Sequence, residues 1–230
     1  MARQFEQIID EQIRRWEQNT LRFARKKTRY PVITISREFG AQGAALARRL
    51  GERTGFTVWD QELVHAIAEE AGADARLLAS LDEHVREAIE DAINAALLGA
   101  SVTNVQYLRA LMRVVQAIAH HGSSIIVGRG ANYILRERDR VSIRVVAPLD
   151  VRVRRYAEAQ GLREKEARRY VLERDEERAA FVRHYFHRDV AHAADYDLVL
   201  NAGTYDLDAM ADLALRAYEI KTGVPAPVAA

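Results

Sequence analysis

The residues best suited to chemistry lie in one run, Ser36-Arg37-Glu38-Phe39-Gly40-Ala41-Gln42-Gly43-Ala44. The apolar stretch Val32-Ile33-Thr34-Ile35 leads into it, and an alanine-rich stretch from Ala44 to Arg53 leads out. A strand that empties through a glycine-bearing turn into a helix presents bare backbone N–H groups, and the helix dipole adds partial positive charge at the same place. That combination suits a phosphate. The competing reading is a structural turn whose glycines serve sterics alone. The Lys-Ser/Thr pair that usually closes a phosphate loop is missing, and Gln42-Gly43-Ala44-Ala45 stands in its place. Arg37 is the candidate replacement cation, unless it pairs with Glu38 or with solvent.

Further candidates follow other apolar runs. Arg129 lies between Gly128 and Gly130; glycines allow close backbone approach, and a guanidinium fork matches a phosphate or carboxylate. The alternative is a surface arginine in a turn. Arg152 and Arg155 are three apart on an expected helix and should share a face. With Asp175 and Arg178 they would close positive charge over a polyphosphate, where arginines stabilise a phosphoryl group in transfer. The alternative is a solvated helix laced with ion pairs. Asp60 suits a substrate hydroxyl or a hydrated Mg²⁺, or serves only as a helix N-cap. The seven histidines form no recognisable zinc pattern, so no protein-held metal is expected.

Elements of the right kind exist to position these groups. Val32–Ser36, Phe56–Trp59, Ser124–Gly128, Val141–Val146 and Leu198–Asn201 read as buried strands separated by helical patterns. Such alternation predicts an α/β fold, a doubly wound parallel sheet of about five strands with its ligand site at the carboxyl ends. Residues 30–222 form the expected domain, with a helical insert over 73–119 and a lid and following helix over 156–188. Residues 1–29 read as an amphipathic helix for packing on the domain or on a second copy, with a membrane-surface role as the alternative. Residues 223–230 read as a frayed tail.

Composition narrows the class. With 230 residues, a net charge of +1, 49% apolar residues and 29% charged residues, no global field calls for nucleic acid. No apolar run approaches the roughly 20 residues of a membrane span. The absence of cysteine excludes disulfides and cysteine-held metals, and suits a cytoplasmic location.

In order along the chain, Ile33-Thr34-Ile35-Ser36-Arg37-Glu38-Phe39-Gly40, Val58-Trp59-Asp60-Gln61-Glu62-Leu63, Ile126-Val127-Gly128-Arg129-Gly130, Val151-Arg152 with Arg155, Asp175 with Arg178, and Tyr196 to Asn201 resemble the cytidylate kinase-like family of P-loop nucleoside monophosphate kinases. The resemblance spans roughly Pro31 to Thr222. It implies a P-loop fold that phosphorylates CMP or dCMP with ATP and Mg²⁺. By the same resemblance, Ser36 to Gly43 would cradle the ATP phosphates. Asp60 and Arg129 would lie on the monophosphate side. Arg152, Arg155, Asp175 and Arg178 would belong to the mobile lid and its hinge, and the insert from Ala73 would cover the monophosphate. Two departures stand out: Ala44 replaces the loop lysine, and Gly130 replaces the aspartate that usually follows the Gly-Arg pair.

Overall fold

A computed structural model describes Arg14 and residues 30–69, 73–79, 81–98 and 104–229. The N-terminal helix expected over 1–29 lies, Arg14 apart, outside the described residues.

Five strands form a single parallel sheet: β1 (Val32–Arg37), β2 (Thr57–Trp59), β3 (Ser124–Val127), β4 (Arg140–Val146) and β5 (Leu198–Asn201), in the order β2-β3-β1-β4-β5. Nine helices connect them in the described residues: α1 (Gly43–Thr54), α2 (Gln61–Glu69), α3 (Ala73–Ala79), α4 (Glu83–Leu97), α5 (Val105–His121), α6 (Ala131–Ile134), α7 (Leu149–Gln160), α8 (Glu164–Phe186) and α9 (Leu207–Thr222).

The two-residue period of β1 supplies both faces of the sheet. Ile33 and Ile35 point into a core shared with Leu46 and Leu50 of α1 and Met210 and Tyr218 of α9. Val32 points the other way, into a core with Trp59, Ile126 and the helices α2 to α6. A third, small core lies between α7 and α8, where Val153, Ala157, Ala167 and Val171 pack with Phe39 from the glycine-bearing loop.

The stretch 73–119 holds α3, α4 and most of α5, and these helices are pinned together by charge. Arg113 on α5 donates to both carboxylate oxygens of Glu90 on α4, at 2.6 and 3.1 Å, and to Asp74 on α3 at 3.1 Å. Within the expected tail, residues 224–229 lie against the body of the domain. Val224 and Ala226 pack on the core, and the Ala229 amide donates to Arg53 O at 2.7 Å.

Strand order fixes where a ligand would go. β1 and β4 are neighbours, but the connection leaving β1 runs to β2 and the one leaving β4 runs to β5. Adjacent strands whose connections diverge leave a crevice at their carboxyl ends.

Candidate active site

A cleft of about 1090 Å³ opens at that crevice, lined by the loop, the exits of β2 and β3, and the facing sides of α7 and α8. The loop's amides divide into two sets. Glu38 N–H donates to Val145 O at 3.0 Å, and Phe39 N–H donates to Asp175 Oδ1 at 2.7 Å. Among the described residues, the amides of Gly40, Gln42, Gly43, Ala44 and Ala45 find no backbone or side-chain acceptor. The open set is thus the second half of the loop and the first turn of α1. Gln42 stands at the N-cap in a left-handed conformation, φ 64°, with no side-chain cap bond. That conformation is costly for a residue other than glycine. It leaves the helix's first donors to a ligand.

The first half of the loop is held from behind. Phe39 is gripped on four sides: its amide by Asp175, its carbonyl by Arg152 Nη1 at 3.1 Å, its ring edge-on to Tyr156 and Tyr170, and its ring face under the Arg178 guanidinium at 5.3 Å. Arg152, only 5% exposed, also donates to Ala147 O and pairs with Glu38 at 3.3 Å and with Asp175. Arg152 and Asp175 were expected to face the ligand. Instead they clamp the loop to the first turn of α7 and the middle of α8 and do not line the cleft. Gly40, φ +78°, backs directly on Arg152, where a Cβ would lie 3.2 Å from Arg152 Cβ. Ala41 turns into the core and is fully buried. The remaining expected loop residues, Ser36, Arg37, Glu38, Phe39, Gly40, Gln42, Gly43 and Ala44, all line the cleft.

Arg37 is half-buried in the cleft and makes no ion pair with Glu38. Its side chain runs along Gly43 and over Gly128, where a Cβ would meet Arg37 Nη1 at 2.3 Å. Nη2 donates to Gln61 Oε1 at 2.6 Å. Arg178 approaches from α8, with Nη1 3.4 Å from Arg37 O. Arg129 lies in a left-handed conformation, φ 52°, over the ring of Phe181 at 5.1 Å. Burial and the charges of Arg178 and Arg129 push Arg37 down to about 9, with Asp60 the acid opposing them. Burial likewise lowers Arg178. Six arginines against four carboxylates in the cleft lining leave a net positive field for an anion.

Asp60 lines the cleft and also caps α2, accepting from Leu63 N–H at 2.8 Å. Arg152 and Arg155, three apart, diverge instead of sharing a face. Arg155 reaches the cleft, donates Nη2 to Ala202 O at 2.8 Å, and keeps Nη1 buried without an acceptor. Sequence reasoning passed over Gln61, Tyr156, Tyr170, Arg174 and Phe181, all of which line the cleft. Gln61 carried a signal, its place directly after Asp60. The others sit on helical faces whose direction only packing sets.

Comparison with known proteins gives the family. The cytidylate kinase-like family model matches residues 32–204, a span that contains the loop, both arginine-bearing strand exits and the α7–α8 pair. The chain belongs to the cytidylate kinase-like family. It is 28% identical over 187 residues to a cytidylate kinase of Methanopyrus kandleri, a match covering 77% of this chain and 87% of that one. It shares its fold with an uncharacterized protein from Eubacterium ventriosum at a TM-score of 0.62 and 20% identity, over 82% of this chain and 98% of that one. Within this cytidylate kinase-like chain, no helix among the described residues is long and apolar enough to cross a membrane.

Proposed function

We propose that the protein transfers the γ-phosphoryl group of ATP to a nucleoside monophosphate, CMP or dCMP, with Arg37 supplying the positive charge that Ala44 does not. The observation that carries this reading is the convergence of Arg37, Arg129 and Arg178 in a cleft that also presents the open amides of the loop. The family relationship supports the nucleotide class.

ATP's phosphates would meet the amides of Gly40 and Gln42 to Ala45, and Arg155 Nη1 would gain the acceptor it lacks. The acceptor's phosphate would face Arg129, Arg37 and Arg178 near Asp60. Electrostatic stabilisation of charge spread over a transferring phosphoryl group is the main task of such a site. Water must also be kept out, since it competes as acceptor. The insert α3 to α5 and the turn between α7 and α8 would provide that cover. Mg²⁺ would neutralise phosphate charge. It usually binds through one or two carboxylates plus the substrate phosphates themselves, and Asp60, Glu62, Glu38 and Glu177 line the cleft as singly placed donors. No nest of three or more metal-ligating side chains occurs among the described residues.

A coupled assay with ATP, Mg²⁺ and a panel of monophosphates tests the reading. ADP release with CMP or dCMP is expected; no ADP above the enzyme-free control overturns it. Ala44 and Ala45 favour a second reading, a nucleotide-binding regulatory protein without transfer, for which calorimetry would show binding with no turnover. We also assign residues 1–29 to self-association in the cytoplasm. Deleting them should lower the number of chains per particle in solution, and an unchanged number removes that assignment.

A further inference from the structure

Beside Ser36, one residue removed from the cleft lining, lies a buried cation that none of the motifs contains. Ser36 on β1 and Arg144 on β4 are register partners. Their side chains therefore stand on the same face of the sheet, opposite Ile143 and Val145. Arg144 is 6% exposed. Its Nη1 donates to Ser36 Oγ at 3.1 Å, and its guanidinium packs over the Tyr196 ring at 5.7 Å. Among the described residues it forms no ion pair. Asp197, the carboxylate entering the next strand, is engaged by the Ser142 amide and hydroxyl and by Lys221 Nζ.

A cation taken from water without a counter-ion is costly. A second group independently points the same way. Asn132, 6% exposed, lines the cleft with Ser36 and has Nδ2 buried without an acceptor. Buried donors lacking acceptors in a native fold call for a ligand that supplies them.

We propose that Arg144 is a positioning residue of the phosphate cleft. Its buried guanidinium fixes the Ser36 hydroxyl and adds charge beside it, so that a phosphoryl oxygen of a nucleoside polyphosphate seats on Ser36 and Asn132. The loop thereby receives from beside Ser36 part of the charge that Ala44 does not provide from within. This rests on the phosphotransferase reading above.

The test is calorimetry on the full chain with ATP and, separately, with inorganic tripolyphosphate. Arg144→Met should weaken both by about tenfold or more, the size of a lost hydrogen bond to a charged group. Arg144→Lys should recover part of the loss. Ser36→Ala should cost less in the Arg144→Met background than in the wild type, because coupled residues are non-additive; a residue serving stability alone would leave the two losses additive. Arg144→Met with the wild-type unfolding temperature and affinities within about twofold of wild type overturns the proposal. Should Arg144→Met fail to fold, Arg144→Lys and Ser36→Ala decide it: both at wild-type affinity overturn it. Wild type that binds neither ligand overturns the phosphotransferase reading itself, a result distinct from binding that ignores Arg144.

Discussion

At the scale of single residues, the site turns on where the Arg37 guanidinium lies. Gly128 and Gly43 leave the channel for it, and a methyl group at Gly128 would collide with Arg37 Nη1 in a backbone conformation, φ +79°, that side chains seldom adopt. Gly128→Ala and Arg37→Met should therefore fail alike, by different means. Each should lower kcat/KM for ADP release about a hundredfold or more, the scale of one lost charge-assisted contact to the transition state. Arg37→Met should leave thermal stability unchanged or higher, because it removes a cation crowded by Arg178 and Arg129. Full activity in Gly128→Ala would show that the guanidinium need not sit there. Arg37 itself was legible as a candidate, since an arginine in a lysine-less loop is conspicuous. Its direction was not, because a long side chain can turn to either side of a strand end and only Gln61 and Gly128 choose between them.

At the scale of elements, the phosphate loop and the lid roots form one mechanical unit. Helix α7 contributes Arg152 and Tyr156, α8 contributes Tyr170, Asp175 and Arg178, and all five meet at Phe39. Residues 156–188 were expected as a lid and following helix, with Arg152, Arg155, Asp175 and Arg178 in the lid and its hinge. In the structure Arg152 on the first turn of α7 and Asp175 midway along α8 join the pair to the loop. Asp175→Ala would leave Arg152, a nearly buried guanidinium, with Glu38 as its remaining carboxylate and free the Phe39 amide. A loss of about 1–3 kcal/mol is expected, read as a lower urea midpoint at unchanged slope, with weaker ATP binding because the loop is no longer clamped. A midpoint within experimental error of wild type would remove the clamp. The Asp-x-x-Arg spacing was visible in the chain, but spacing along one helix cannot reveal that Asp175 faces Arg152 while Arg178 faces Phe39.

For the whole molecule, a parallel sheet with diverging connections and an arginine-rich crevice predicts stabilisation by nucleotide. A ligand bound only to the native state at a hundred times its dissociation constant adds about 2.7 kcal/mol. Saturating ATP should raise the unfolding temperature, and CMP should raise it further if both halves of the cleft fill together. No shift with either would count against a nucleotide site of any kind. A shift without turnover would favour the regulatory reading.

The chain's own order of residues determined the strands, their parallel alternation with helices, and the place of the glycine-bearing turn. Those features rest on local periodicity and backbone chemistry, which a linear sequence carries. Tertiary structure alone decided which arginines face the cleft, which clamp the loop, and that Arg144 lies beside Ser36. Those outcomes depend on strand register and helix rotation across separations such as the 108 positions between Ser36 and Arg144, where no local pattern can fix which side chains meet.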